Sequence, residues 1–263
     1  MSASISSINY CPVKSISFQT VSDCKIRKNI GIVGDRVFAF SKGLEFDQAQ
    51  LFEKNLDERR GKWNKILTLK NSPVLNKYNF KLNGNRLTFT QKNNEILTID
   101  VSKTSEYDLL SNKILELENS LQKPIFLMKN VDIPFFDTSI SNKTVLTHSI
   151  SFQNNKSIED FEKKTNQIIE PQRFRGNIHV DGMQAWEERN WIGKIIKIND
   201  ISFKVEKNIP RCVAINLKPN TNDNSLNLLQ SLKKNYNHFE MGIYLTALDD
   251  GEINLGDKVK III

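Results

Sequence analysis

Trp191-Ile192-Gly193-Lys194-Ile195-Ile196-Lys197-Ile198, the pair Asn199-Asp200 and the run Ile201-Ser202-Phe203-Lys204-Val205 read together as a β-hairpin. Apolar residues alternate on both sides of a two-residue turn, which is the period of strands with one buried face. The return strand leads into Asn208-Ile209-Pro210-Arg211-Cys212-Val213, so Cys212 falls just beyond it, at the rim that a barrel would have there. Residues 78 to 101 repeat the pattern. Asn83-Gly84 separates Tyr78–Leu82 from Arg86–Phe89, and Asn93-Asn94 stands before Glu95–Ile99, which predicts a meander of strands. Helical spacing is confined to a few places. Leu109, Leu110, Ile114, Leu117 and Leu121 recur at three and four; Ser157, with Asp160 three residues on, opens a segment as a capping box does; Leu226 to Leu232 predicts a third helix. These apolar stripes read as core packing. The fold class expected is mainly β, α+β.

Composition narrows the function classes. A chain of 263 residues can bury a substantial core as one large or two smaller domains. Charged residues make up 25%, and no apolar run approaches the roughly 18 residues that would span a bilayer, so no membrane span is expected. Met1 to Ile8 lacks the basic start and apolar centre of a secretory signal, and the expected location is cytoplasmic. Three widely spaced cysteines, Cys11, Cys24 and Cys212, argue against a disulfide framework and cannot supply a four-cysteine iron–sulfur cluster. The net charge of +7 comes from scattered lysines, and no strand face interleaves aromatic and basic residues, so nucleic acid is not an expected partner.

Residue types suited to chemistry gather in three stretches. In Asn208–Pro219, Cys212 follows Arg211; adjacent positive charge stabilises a thiolate, and a thiolate is a soft metal ligand. One cysteine cannot build a structural zinc site, and a lone cysteine is more often an inert core residue. Near the N-terminus, Cys11-Pro12-Val13-Lys14-Ser15-Ile16 precedes Gly31–Phe40, whose end reads as a strand; Lys14 and Arg36 are candidates to converge on one anion. In Arg173-Phe174-Arg175-Gly176-Asn177, strand alternation would put Arg173, Arg175 and Asn177 on one face. Two guanidiniums and an amide there suit a phosphate or a polar heterocycle. A surface salt-bridge stripe accounts for the same spacing equally well.

Taken in order, Pro12-Val13-Lys14-Ser15, Gly34-Asp35-Arg36, Arg173-Phe174-Arg175-Gly176-Asn177 with Val180-Asp181-Gly182, Arg211-Cys212 and Gly256-Asp257-Lys258-Val259 resemble the MOSC family of molybdenum cofactor proteins, bacterial relatives of the mitochondrial amidoxime-reducing component in particular. The resemblance implies an N-terminal β-barrel domain over residues 1–125 packed on a MOSC β-barrel domain over residues 130–263. It implies a molybdenum pyranopterin cofactor, with Cys212 as metal ligand and catalytic residue. Lys14, Ser15, Arg36, Arg175 and Asn177 match the family's cofactor-holding positions; Arg173 and Arg211 are additions beside them. Asp137-Thr138-Ser139 resembles a further cofactor-contacting stretch, so Thr138 and Ser139 join the set, in competition with Thr147, His148 and Ser149.

The activity implied is oxygen-atom removal from N-hydroxylated small molecules of amidoxime or hydroxylamine type. The alternative is a non-catalytic carrier of the cofactor or of its sulfur. No ferredoxin-like segment follows Gly256-Asp257, so a separate electron-donor protein is expected, with no iron–sulfur cluster in this chain. Pyridoxal phosphate, bound by the fused desulfurase domain of cofactor sulfurases, is not expected. Two departures from the family pattern stand near the ligand: Pro210 where a small polar residue is usual, and Lys218 where a carboxylate is usual.

Overall fold

The computed structural model describes residues 3–16, 18–136 and 150–262. Its first half contributes β1 (Ser4–Tyr10), β2 (Gln19–Val21), β3 (Asp23–Arg27), β4 (Gly31–Ile32), β5 (Phe38–Phe40), helices α1 (Phe46–Lys54) and α2 (Leu56–Arg59), then β6 (Tyr78–Asn83), β7 (Arg86–Gln91), β8 (Asn94–Asp100), α3 (Tyr107–Leu117) and β9 (Leu127–Lys129). The second half holds β10 (Ile150–Asn154), α4 (Asn155–Thr165), β11 (Ile178–Asp181), β12 (Ile195–Ile198), β13 (Ile201–Pro210), α5 (Leu228–Tyr236), β14 (Glu240–Ala247), β15 (Gly251–Asn254) and β16 (Val259–Ile262). The chain is mainly β with a few short helices, as its patterning predicts.

The main sheet runs β16-β12-β13-β14-β10-β11-β1-β2. Its hairpin is the predicted one: Ile198 pairs with Ile201 across Asn199-Asp200, and Asn199 takes the positive φ that such a turn requires. Ile196, Ile198, Ile201, Phe203 and Val205 point into one core with Ile150, Phe152 and Ile243. Each such side chain contributes about 1.5–3 kcal/mol on burial. The sheet curls until β16 returns to β1, where Ser4 bridges Lys258 and the Val259 amide donates to the Ala3 carbonyl at 2.9 Å. The ladders nevertheless end at β16 and β2, so the expected closed barrels are open, curled sheets.

The meander also forms as read, with β6, β7 and β8 in order and Phe80 stacked on Phe89 at 4.7 Å. The second turn is Lys92-Asn93, both left-handed, one residue earlier than the Asn-Asn signal placed it. A second core joins these strands to α3 and to Val37, Phe40 and Leu127. Ile5, Ile8, Cys24, Ile26 and Ile32 pack instead in the first core, so β1, β3 and β4 of the expected 1–125 unit share a core with the second half, while Val13 and Ile16 between them stay in the second core.

Two local readings are corrected. Helix α4 starts at Asn155, because the Asn154 side chain accepts from the Lys156 amide at 3.0 Å and caps it earlier; Ser157 is buried inside the helix and donates to Glu188 at 2.9 Å. Residues 173–177 are not a strand: Pro171 opens a 3-10 turn through Phe174, Arg175 is left-handed (φ 50°), and β11 begins only at Ile178. Proline fixes φ and lacks the amide hydrogen that a strand ladder would use there. Arg173, Arg175 and Asn177 therefore do not share a strand face.

Candidate cofactor site

Three loops meet at the N-terminal end of β11, and Asn177 ties two of them. Its Oδ1 accepts from the Ser151 amide at 3.0 Å and from Ser151 Oγ at 2.7 Å, while its Nδ2 donates to the Asn9 carbonyl at 3.1 Å and to Asp35 Oδ2 at 3.2 Å. Arg36 Nη1 approaches the same amide oxygen at 3.4 Å and pairs with Asp35. The other Asp35 oxygen accepts from the Cys11 amide at 2.7 Å. Asn177 and Asp35 are both buried, so the centre of this network is a largely desolvated joint between the N-terminal segment and the Arg175–Asn177 loop. Arg175 closes it, donating from Nη2 to Cys11 Sγ at 3.1 Å, with its guanidinium 5.8 Å from the Phe18 ring.

Ser15, Arg36 and Arg175 have φ of 63°, 54° and 50°. Left-handed backbone is uncommon outside glycine and asparagine and is held only where the surroundings over-determine it. Three predicted site residues thus carry strained backbone in one neighbourhood. Lys14 is buried beside them, and its amide donates to the Phe38 carbonyl at 2.8 Å.

The third loop carries Cys212. It leaves β13 after Pro210, which pairs with Glu240, and the Arg211 amide donates to the Phe239 carbonyl at 2.8 Å. Cys212 then takes extended backbone and heads the 3-10 turn Val213–Asn216, its side chain free and exposed. The two flanking arginines turn inward. Arg211 donates from Nε to the Met241 carbonyl at 2.9 Å and from Nη1 to the Phe174 carbonyl at 2.7 Å. Burial lowers its pKa to about 10, with nearby Tyr244 and Cys212 working the other way. Arg173 pairs with Glu170 at 2.6 Å and donates to the Asn216 carbonyl at 2.8 Å. Each arginine reaches from one loop into the other, and together they stitch the Cys212 turn to the Arg175–Asn177 loop. Their guanidiniums hold protein carbonyls, a positioning role that the sequence pattern does not reveal.

Three residues here escape a reading of the sequence alone. Asp35, quoted only as part of a motif, anchors the joint. His179 is buried, with Nδ1 at 3.0 Å from Asn155 Oδ1, and desolvation together with Arg211 lowers its pKa to about 4. Gln153 is buried between Gly176 and Gly242. A Cβ on Gly176 would lie 2.3 Å from Gln153 Cγ, and one on Gly242 would lie 2.5 Å from Gln153 Nε2. The glycines are the one signal that was legible, since such approaches exclude any side chain. Thr138, Ser139, Thr147, His148 and Ser149 lie outside the described residues.

A narrow cleft of about 70 Å³ opens beside Arg175, between Phe18, Tyr78 and Ala214. Among the described residues no three His, Cys, Asp or Glu side chains gather to hold a metal ion. A free, exposed thiol beside cationic, amide-rich loops fits a metal that arrives already chelated.

The MOSC domain family model matches residues 142–260. No curated protein sequence matches. The solved structure of the YuaD protein from Bacillus subtilis aligns over 99% of this chain and 96% of its own, at 10% identity and a TM-score of 0.46. YiiM from Geobacillus stearothermophilus aligns over 43% of this chain and 54% of its own, at 15% identity and a TM-score of 0.34. Among the described residues no helix is long and apolar enough to cross a membrane. Residues 142–260, the stretch that carries Arg175, Asn177 and Cys212, are a MOSC domain.

Proposed function

We propose that this protein is a molybdenum cofactor-binding oxidoreductase that reduces N-hydroxylated small molecules. The observation that carries the reading is the free, exposed Cys212 thiol, stitched by Arg211 and Arg173 to the loop of Arg175 and Asn177 within a MOSC domain. Cys212 is the protein's metal ligand. Lys14, Arg36 and Arg175 supply positive charge for the cofactor's phosphate, and Ser15 joins them from its left-handed turn. Asn177 keeps Arg36 and Arg175 in register with the thiol. Thr138 and Ser139 belong to the same proposed set. Residues 1–125 act as the family's N-terminal domain and give one wall of the site.

The cofactor, when bound, supplies two-electron oxygen-atom removal at molybdenum. An amidoxime with two electrons and two protons gives the amidine and water. The electrons come from a separate donor protein, and no pyridoxal phosphate is involved. This chain's residues bind and orient; the cysteine holds the metal and the arginine-held loops fix its direction.

The test is protein made in a cofactor-competent host, assayed for molybdenum, pterin fluorescence and reduction of benzamidoxime with a chemical reductant. Wild type should turn over and Cys212→Ser should not. Full turnover by Cys212→Ser removes it from the metal. Bound molybdenum that transfers to an apo-enzyme, with no reductase activity, would replace this reading with that of a cofactor carrier.

A further inference from the structure

We infer that the Gln153 side chain is an amide reserved for the ligand of the Cys212 site, without partners among the described residues and paired when the site is loaded. The inference rests on reading that site as a cofactor pocket. In β10 the side chains of Ile150 and Phe152 enter the main core. Strand alternation puts Ser151 and Gln153 on the opposite face, toward the loop of Arg175 and Asn177. Ser151 spends its hydroxyl on Asn177. Gln153, level with His179 on β11, is fully buried, and among the described residues neither its Nε2 nor its Oε1 has a hydrogen-bond partner.

That combination is unfavourable for the fold taken alone. A buried amide with both ends unpaired is penalised, and an apolar side chain of similar volume would avoid the penalty. The surroundings are nonetheless shaped around this amide. Its stem passes Gly176 and its tip ends at Gly242, the two positions where a Cβ would collide with it. Gly242 follows Met241, whose carbonyl accepts from Arg211, and Arg211 is the residue before Cys212. The amide therefore lies against the two backbone segments that Arg211 joins, with no Cβ on either wall.

The free atoms also define the ligand. One donor and one acceptor side by side match a group that presents an acceptor beside a donor, as the lactam edge of a pterin-type heterocycle does. A phosphate presents acceptors only and would leave Oε1 unpaired. Gln153 is thus assigned to the heterocycle, while the cationic side chains take the phosphate.

Gln153→Met, with Gln153→Leu as a second apolar variant, tests this with two readouts. On cofactor-free protein the melting temperature should rise by about 2–6 °C, because an unpaired buried amide is removed from a chain of this size. On protein from a cofactor-competent host, pterin and molybdenum content should fall about tenfold, with the melting-temperature gain on loading reduced in step. Unchanged content, or a cofactor-free melting temperature that falls in both variants, overturns the assignment; the latter would mean that a buried water already satisfies the amide. If wild type itself takes up no pterin, the proposed function fails and this inference with it. If wild type loads and the variants load equally, only this inference fails.

Discussion

Replacing Asn177 by leucine tests whether the joint between the N-terminal segment and the MOSC domain is structural before it is functional. The change keeps the branched shape and the number of side-chain heavy atoms and removes the amide, so no cavity is opened. It leaves the Ser151 amide and the Asn9 carbonyl, held at 3.0 and 3.1 Å, without partners, and it takes one donor at 3.2 Å from the buried Asp35 carboxylate. Each orphaned neutral group costs about 1–3 kcal/mol, and the bond to a charged acceptor is worth about 1.5–3 kcal/mol. The Ser151 hydroxyl can rotate to another acceptor and adds nothing, so the sum is roughly 3.5–9 kcal/mol, with loop relaxation favouring the low end. That is a large share of the roughly 5–15 kcal/mol that holds an ordinary domain together. Urea denaturation of cofactor-free Asn177→Leu should show the loss as an earlier midpoint, and heating should show a melting temperature lower by roughly 10 °C. A loss below about 1 kcal/mol would refute the reasoning, since it would mean that Asp35 and Ser151 find other partners at once.

Arg175→Ala should lower molybdenum and pterin content severalfold, because it removes one of the site's cationic side chains, whose Nη2 donates to Cys11 Sγ; unchanged metal content removes it from the site. Gly176→Ala should destabilise by about 1–3 kcal/mol, since the new Cβ would sit 2.3 Å from Gln153 Cγ and 2.7 Å from His179 Nε2; denaturant midpoints measure it. His179 gives a pH dependence. Its folded pKa, about 4, lies below the ordinary 6.5, so the unfolded chain binds the proton first and stability falls as pH drops from about 6.5 to about 4. The contribution is about 3 kcal/mol at most, and His179→Gln should flatten that part of the stability profile; a slope identical to wild type would assign it to other groups.

Strand patterning was readable where period and turn chemistry agreed. The hairpin at Asn199-Asp200 and the meander of residues 78–100 needed only alternation and a left-handed turn residue. The failures came where a neighbour outside the local window decided the outcome. Asn154 took the cap that Ser157 offered, and Ser157 was then needed by the buried Glu188. The same holds at the site. Cys212, Arg36, Arg175 and Asn177 could be named from their motifs, but no spacing rule shows that Arg173 and Arg211 spend their guanidiniums on main-chain carbonyls. Gln153 lies in a run with no motif at all; only the glycines on either side of it in space give it meaning. Pro171 turned an apparent alternating face into a 3-10 turn, and that turn is what lets Arg175 leave the strand direction and meet Cys11.

The central claim is that the Cys212 sulfur binds the metal, and the direct measurement is molybdenum X-ray absorption on loaded wild type and Cys212→Ser. Cys212 is exposed and makes no cap bond, so the variant should fold within about 0.5 kcal/mol of wild type. The account predicts one sulfur fewer around molybdenum in the variant, with pterin still detectable. An unchanged sulfur shell in a folded, loaded variant would contradict it.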